Sequence, residues 1–214
     1  MPSIRTAEDY LRSEYVRLLP VMQRAEVAVE TEVRHLLLGL TLDLDRFEQV
    51  VVKTRIKGSE SAIDALRRRQ PYGLFDADRA DEYSLTALPD LIGVRALVFP
   101  PRRLEEARIA LAPRLNGWTA DPVSASSRGA DLIALKYSGR WNANDPFKTE
   151  IQLVSMLVGL FWEVEHSAIY KPHPNLRGIA KSMEMSKRIA AVENALREFE
   201  IEFQRIVDDA AQAF

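Results

Sequence analysis

One nearly uninterrupted apolar segment limits the folds that this chain can adopt. Residues 91–99 read LIGVRALVF, and Pro100 with Pro101 ends the run. A strand that is apolar at consecutive positions has to be covered on both sides, as in the centre of a sheet with helices above and below. The segment therefore predicts a buried central strand in a chain that combines a sheet with helices.

A second segment alternates between two kinds of residue, which is typical of a strand with two different faces. It runs from about Phe47 to Lys57. One set consists of Val50, Val52, Thr54 and Ile56, and the alternate set consists of Val51, Lys53, Arg55 and Lys57. The pattern predicts one apolar face and one basic face, and the basic face is the first indication of an anion-binding function.

Two further strands are predicted at residues 131–137 and 147–153, with a turn-rich segment between them. In the second of these strands, alternation places Lys148, Glu150 and Gln152 on one face. A carboxylate in the middle of a strand is uncommon. The four predicted strands together indicate a mixed sheet.

Apolar residues at steps of three and four predict helices before, between and after these strands. The segments are 7–40, 59–69, 104–112, 156–168 and 179–211, and Pro20 is expected to break or kink the first. In the last segment the spacing suits either packing on the sheet or a helical partner. Its apolar positions are Val192, Leu196, Phe199, Phe203 and Ile206. The fold class is α+β, a mixed β-sheet flanked by helices, with long N- and C-terminal helices.

Composition excludes several function classes. The 29 basic and 31 acidic side chains of the 214 residues give a net charge of -2, so any anion site is local. Cysteine is absent and the three histidines are far apart, which argues against disulfides, a cysteine nucleophile and a zinc hydrolase. No apolar run has the length of a signal peptide or a membrane span, so we expect a cytoplasmic protein with no membrane partner.

Phosphoryl and pyrophosphoryl transfer both need cations to hold the triphosphate, carboxylates to hold Mg²⁺ and a base near the attacking hydroxyl. Arg55 and Lys57 can point into one cleft because they lie two residues apart on a strand. If their strands are neighbours, Asp90 and Glu150 can share one Mg²⁺, and either can act as the base. Structural alternatives are a solvated strand edge for the two cations and a turn position for Asp90.

Glu165 and His166 are adjacent in a predicted helix, and Lys171 lies one turn or more beyond them. These side chains can line the edge of the same cavity. His166 taken alone is more often a hydrogen-bonded structural histidine.

Four stretches give these residues a common context. RIKGSES (55–61), DLIGVR (90–95), TEIQL (149–153) and FWEVEHSAIYK (161–171) resemble, in this order, the motifs of RelA/SpoT nucleotidyltransferase domains. The resemblance covers about residues 46–171. It implies a nucleotidyltransferase-like fold in a single domain, 1–214, with helical extensions at 7–40 and 179–211.

Members of that family make the alarmones ppGpp and pppGpp by transferring pyrophosphate from ATP to the 3′-hydroxyl of GDP or GTP. The resemblance implies that Arg55 and Lys57 engage ATP, that Asp90 and Glu150 bind Mg²⁺, and that Glu150 activates the hydroxyl. It also assigns a nucleotide-binding role to Ser61, Gln152, Glu165, His166 and Lys171. No His-Asp dipeptide of the family's hydrolase module occurs, so only the synthetase activity is implied.

The chain departs from the family pattern at the acceptor side. The family's loop Gly-Tyr-(Arg or Lys)-x-x-His aligns with residues 126–131, where Ser127 replaces the tyrosine that stacks on guanine. Val154 and Ala65 stand where the family has an arginine and a lysine. Two alternatives follow: an adenine nucleotide or a tRNA 3′ end as the acceptor, or a catalytically inactive member that binds nucleotide or a partner. The terminal helices are candidates for a homo-oligomer contact.

Overall fold

The computed structural model describes residues 6–76, 79–124, 132–165 and 183–212. Five strands form one mixed sheet in the order β1-β2-β5-β4-β3. They are β1 (Gln49–Ile56), β2 (Ile92–Phe99), β3 (Thr119–Ser124), β4 (Leu132–Gly139) and β5 (Thr149–Ser155). The described α-helices are α1 (Ala7–Leu36), α2 (Leu38–Leu42), α3 (Ser59–Arg67), α4 (Arg103–Leu111), α5 (Met156–Glu165) and α6 (Met183–Gln212), and short 3-10 helices span Pro71–Gly73 and Leu85–Ala87. The predicted α+β class is confirmed.

The predicted central strand is β2. It pairs with β1 in antiparallel and with β5 in parallel orientation, while β4 joins β5 and β3 through antiparallel pairs. Five of its residues are at most 1% exposed: Ile92, Val94, Ala96, Leu97 and Val98. The apolar run thus corresponds to a buried interior strand, while β5 occupies the middle position of the sheet.

One face of the sheet, here called the back face, packs against α1 and α4. Val52 of β1, Val94 of β2 and Ile151 of β5 contribute to this core, together with Val33 of α1 and Leu111 of α4. The apolar set of the alternating segment at residues 47–57 therefore faces the core, as its pattern predicts.

The opposite face, here called the front face, is divided along the strands. Its apolar half packs against α5, which follows β5 directly. Gly159 allows this close approach, because a Cβ there would lie 2.3 Å from Leu97 Cδ2 and 2.8 Å from Val154 Cγ1. The residues of the apolar half are Val51, Leu97, Phe99, Ala134 and Val154. The other half of the front face is polar.

Two features of local structure differ from the sequence-based expectations. The first helix is not broken at Pro20 and continues through it. Pro20 removes the hydrogen bond to the carbonyl of Val16, and Val16 is exposed, so water can reach this turn of the helix. Strand β3 has no counterpart among the predicted strands, because it is short and contains Pro122, which a strand tolerates at the edge of a sheet.

A buried carboxylate, Glu48, is linked to the C-terminal helix through a shared arginine, Arg102. Glu48 precedes β1, and its buried side chain accepts hydrogen bonds from Arg102 Nη2 at 2.6 Å and Arg103 Nη2 at 2.7 Å. Arg102 also pairs with Asp208 of α6 at 2.7 Å. Burial alone would raise the pKa of Glu48, but the hydrogen bonds from Arg103 and Arg102 outweigh burial and lower the pKa to about 2.

None of the described helices combines the length and apolar character that a membrane crossing needs.

Candidate active site

The polar half of the front face carries two rows of side chains across four strands. Residues that pair directly in neighbouring strands project to the same face. The Glu150 row consists of Arg55, Gly93, Glu150 and Ser138, and the Gln152 row consists of Lys53, Arg95, Gln152 and Lys136. We call these two rows the polar surface. The mid-strand carboxylate predicted from sequence therefore lies among several cations.

Gly93 leaves space between Arg55 and Glu150. A Cβ at Gly93 would lie 3.4 Å from Arg55 Nε and 3.5 Å from Arg55 Cγ, so the arginine side chain lies against this glycine. Arg55 is exposed to solvent. Its guanidinium is therefore accessible to an anion that binds beside Glu150.

A chain of hydrogen bonds holds the carboxylate of Glu150. Arg95 Nε donates to Gln152 Oε1 at 2.9 Å, and Gln152 Nε2 donates to Glu150 Oε1. Burial, followed by the charge of Arg55, lowers the pKa of Arg95, although a guanidinium keeps its charge at neutral pH. Gln152 thus couples a largely buried cation to the predicted base.

Helix α5 contributes an acidic residue to the edge of the polar surface. Glu163 accepts a hydrogen bond from Lys53 Nζ at 2.8 Å and lies 3.7 Å from Arg95 Nη1. The carbonyl of Gly159 accepts a hydrogen bond from Arg95 Nη1 at 3.3 Å. The position of α5 therefore influences both cations of the Gln152 row that it contacts.

A second carboxylate lies at the end of the sheet where β2 begins. Asp90 Oδ2 is hydrogen bonded to Lys57 Nζ, and the backbone N–H of Lys57 donates to the carbonyl of Leu91 at 2.9 Å. Asp90 Oδ1 is buried and has no hydrogen-bond partner among the described residues. A buried carboxylate oxygen without a partner is costly, so this atom indicates a place for a ligand.

The available carboxylates fit Mg²⁺. Within the described parts of the chain, no three His, Cys, Asp or Glu side chains cluster closely enough to hold a metal ion together. Mg²⁺ in phosphoryl-transfer sites is often bound by one or two carboxylates and completed by phosphate oxygens and water. Asp90 and Glu150 offer ligands of this type, and a Mg²⁺ ion shared between them remains a proposal.

The structure gathers several predicted residues at one end of the sheet. Arg55 and Lys57 lie at the carboxyl end of β1, while Asp90 and Glu150 lie at the amino ends of the adjacent parallel strands β2 and β5. Gln152 follows on the same face as Glu150. The strand neighbourhood on which the magnesium hypothesis depends is thus present.

Other predicted residues lie elsewhere. Ser61 is in the first turn of α3, which follows β1 after a short connection. In the described structure, no hydrogen bond or ion pair joins Glu165 to the polar surface, whereas Glu163 makes such contacts. His166, Lys171 and the loop at 126–131 lie outside the described residues.

Sequence reasoning did not single out Arg95 or Glu163, and it placed Lys53 on the basic face of its strand without giving it a role in the site. A signal for Arg95 was present, since it is the single charged residue in the apolar run at 91–99. A charged side chain in such a strand needs a partner, and here the partners are Gln152 and Glu163.

Comparison with known proteins is informative only at the level of structure. No protein-family model matches the sequence, and no curated protein matches it. The small alarmone synthetase 1 from Bacillus subtilis bound to its product pppGpp is similar, with a TM-score of 0.65, 16% identity, and coverage of 93% of this chain and 99% of that chain. The same enzyme bound to AMPCPP is similar with a TM-score of 0.63 and 15% identity, and the match covers 92% of this chain and 99% of that chain.

A GTP pyrophosphokinase family protein from Streptococcus pneumoniae is also similar, with a TM-score of 0.62, 18% identity, and coverage of 94% of this chain and 96% of that chain. This chain therefore has the fold of the small alarmone synthetases over most of its length. At these identities the comparison defines the fold, and the chemistry has to be argued from the site.

Proposed function

We propose that this chain is a pyrophosphokinase that transfers pyrophosphate from ATP to the 3′-hydroxyl of GDP or GTP. The observation that carries the proposal is the polar surface, where Glu150 lies in one row with Arg55 across Gly93. Asp90 and Lys57 lie at the same end of the sheet. A strand face of this composition suits a triphosphate and a metal ion better than it suits packing.

In the proposed site, cations hold the donor. Arg55 and Lys57 would contact the phosphates of ATP, and Asp90 and Glu150 would hold Mg²⁺. When bound, Mg²⁺ would neutralise negative charge on the phosphate oxygens. Nucleotide binding by Ser61, Glu165, His166 and Lys171 remains part of the proposal.

The proposed reaction forms a bond between the acceptor 3′-oxygen and the β-phosphorus of ATP. The bond between that phosphorus and the oxygen bridging it to the α-phosphorus breaks, and AMP leaves. Glu150 would accept the proton of the hydroxyl as general base. Gln152 would orient the Glu150 carboxylate, since it already donates a hydrogen bond to it.

A different acceptor is the second candidate, and one substitution favours it. Ser127 stands where the family has an acceptor-stacking tyrosine. Loss of an aromatic ring that stacks on a base costs about 1–3 kcal/mol by analogy with single-stranded nucleic acid binding. An adenine nucleotide or the 3′ end of a tRNA is therefore tested beside the guanine nucleotides.

The test uses ATP labelled in its β-phosphate, Mg²⁺, and separate pools of GDP, GTP, AMP, ADP and tRNA. We expect a labelled guanine nucleotide with the wild-type chain and none with Glu150→Gln. Glu105→Gln is the matched control, because Glu105 lies exposed on α4, which packs against the back face. Label on an adenine nucleotide or tRNA alone would favour the second candidate.

Absence of transfer to every acceptor would contradict the proposed activity. Calorimetry with a non-hydrolysable ATP analogue then distinguishes the inactive nucleotide-binding alternative, which still binds, from a chain that has no ATP site.

A further inference from the structure

A buried carboxylate of the C-terminal helix has no role in the proposed reaction. Glu200 in α6 is fully buried. Its Oε1 accepts a hydrogen bond from the backbone N–H of Leu157 at 2.8 Å, and its Oε2 is buried without a hydrogen-bond partner among the described residues. Leu157 is the second residue of α5. Because the first four N–H groups of a helix have no partner inside that helix, Glu200 caps α5 from another helix.

Packing alone does not explain a carboxylate at position 200. Burial raises the pKa of Glu200, which reflects the cost of placing a carboxylate in this position. An apolar side chain of similar size would fill the same space without that cost. What the carboxylate adds is the hydrogen bond to α5 and a favourable interaction with the positive end of its dipole.

From this capped end, α5 leads to the polar surface. The Gly159 carbonyl accepts from Arg95 at 3.3 Å, and Glu163 accepts from Lys53 at 2.8 Å. Arg95 in turn donates to Gln152, which donates to Glu150. A change at the start of α5 is therefore connected through defined contacts to the predicted base.

We propose that Glu200 is a positioning residue, which caps α5 and thereby places Glu163 and the Gly159 carbonyl against Lys53 and Arg95. Docking of the C-terminal helix then controls how well the polar surface binds a nucleotide. The consequence for nucleotide binding rests on the proposed function, whereas the coupling of Glu200 to Arg95 is a property of the fold.

Three variants of the full chain test this inference. Glu200→Met removes the acceptor but keeps an apolar side chain of similar length in the buried space. Glu200→Gln keeps an oxygen that can accept from Leu157 and is the conservative rescue. Glu202→Met is the matched control, since Glu202 lies two residues further along α6, is exposed and pairs with Arg205.

The first readout is nuclear magnetic resonance without nucleotide. In Glu200→Met, we expect the Leu157 amide proton to exchange about five times faster, which corresponds to the typical loss of about 1 kcal/mol for a missing cap. We also expect the Arg95 Nε–H resonance to shift and to exchange faster. Both signals should stay near their wild-type values in Glu200→Gln and Glu202→Met.

The second readout is binding and turnover. The KM for ATP should rise about fivefold in Glu200→Met with a smaller change in kcat, because the variant disturbs the edge of the site and leaves Glu150 in place. Glu200→Gln should recover most of the loss. A pure stability defect would lower the amount of active chain and leave KM unchanged.

Two results would overturn the inference. One is an unchanged Leu157 amide in Glu200→Met, which would show that the carboxylate does not cap α5. The other is a faster Leu157 amide with an unchanged Arg95 signal, which would show that the cap does not reach the polar surface. Both are read without substrate, so a failure of the proposed activity is separate from a failure of this coupling.

Discussion

The two halves of the front face use the same four strands and the same alternation, yet they have opposite properties. In β2, Arg95 belongs to the polar surface, and Leu97, two positions further along the strand, is covered by α5. The covered half is apolar core, while the other half holds charges that the fold has to accommodate. The boundary is set by the reach of α5, and Gly159 permits that reach.

This difference predicts whether a substitution changes activity or stability. Apolar contacts in the covered half stabilise the fold. Arg95 in the polar surface is largely buried, and Asp90, where β2 begins, has a buried oxygen without a partner among the described residues. Both groups are costly to bury. Changes in the polar surface should therefore lower activity with little loss of stability, and changes under α5 should do the reverse.

The largest effect is expected for Asp90→Asn. The amide oxygen can still accept from Lys57, so the local structure should persist, but the negative charge for Mg²⁺ is lost. Transfer should fall by about 10²–10³, the range seen when one group that stabilises transition-state charge is removed. Initial rates at several Mg²⁺ concentrations and a thermal melt provide the measurement.

Asp64→Asn is the control for this change, because Asp64 is exposed on α3 and pairs with Arg67 of the same helix. If Asp90→Asn were as active as this control, Asp90 would have no metal-binding role.

Glu48 shows the opposite use of a buried carboxylate, since Arg102 and Arg103 satisfy it fully and it carries stability. Its pKa is lowered from 4.5 to about 2 in the folded chain. A carboxyl with a lowered folded-state pKa contributes its full stabilisation above its unfolded pKa. For Glu48 this contribution is roughly 3 kcal/mol of unfolding free energy, and it is lost as the pH falls from about 4.5 to about 2. Denaturant unfolding across that range measures it.

Glu48→Gln should flatten this part of the pH profile and lower stability at neutral pH. An unchanged slope of stability against pH in the variant would assign the acid sensitivity to other carboxylates.

An intermediate effect is expected for Gly159→Ala, which tests the boundary itself. The added Cβ would meet the buried side chains of Leu97 and Val154 at distances that require either these side chains or the helix to shift. Overpacking of this kind costs about 1–3 kcal/mol, so the thermal midpoint should fall by several degrees.

Gly39→Ala is the control, since a Cβ at Gly39 in α2 meets no atom within 4 Å. Equal melting temperatures for the two variants would mean that α5 does not lie as close to the sheet as described.

Much of the fold was accessible from sequence because strand and helix periodicity report burial directly. The apolar run at 91–99 and the alternation before it predict β2 and β1 correctly. The environment of the C-terminal helix was harder to predict. Its apolar stripe was expected to pack on the sheet or to bind a partner helix. Phe203 packs against Phe47 and Phe99, while Val192 and Phe199 are about half exposed, and the neighbouring Glu200 is buried. Periodicity cannot anticipate a carboxylate that caps another helix.

For the site, alternation placed Glu150 and Gln152 on one face, and the structure confirms that arrangement. The register between strands is set by long-range pairing, so the position of Arg55 opposite Gly93 could not be predicted. The same holds for Glu163, because its contact to Lys53 depends on how α5 crosses the sheet. The roles of these residues remain predictions that the variants test.

The smallest effect is expected for Gly93→Ala, the same substitution on the polar side of the boundary. The new Cβ would lie 3.4 Å from Arg55 Nε, which is the movable part of a long side chain, so the backbone need not shift. Stability should stay constant or rise by about 0.4–1 kcal/mol, because alanine reduces the entropy of the unfolded chain. The KM for ATP should rise a few-fold, since the methyl group would occupy part of the space between Arg55 and Glu150, which lie on either side of Gly93 in the same row.

Gly93→Ala in β2 and Gly159→Ala in α5 thus each add a methyl group at the front face, with opposite expected results. One should weaken nucleotide binding in a stable chain, and the other should destabilise a chain whose folded fraction still binds. If both variants lost stability and neither changed KM, the polar half of the front face would be a structural surface, and Arg55 would not be part of a nucleotide site.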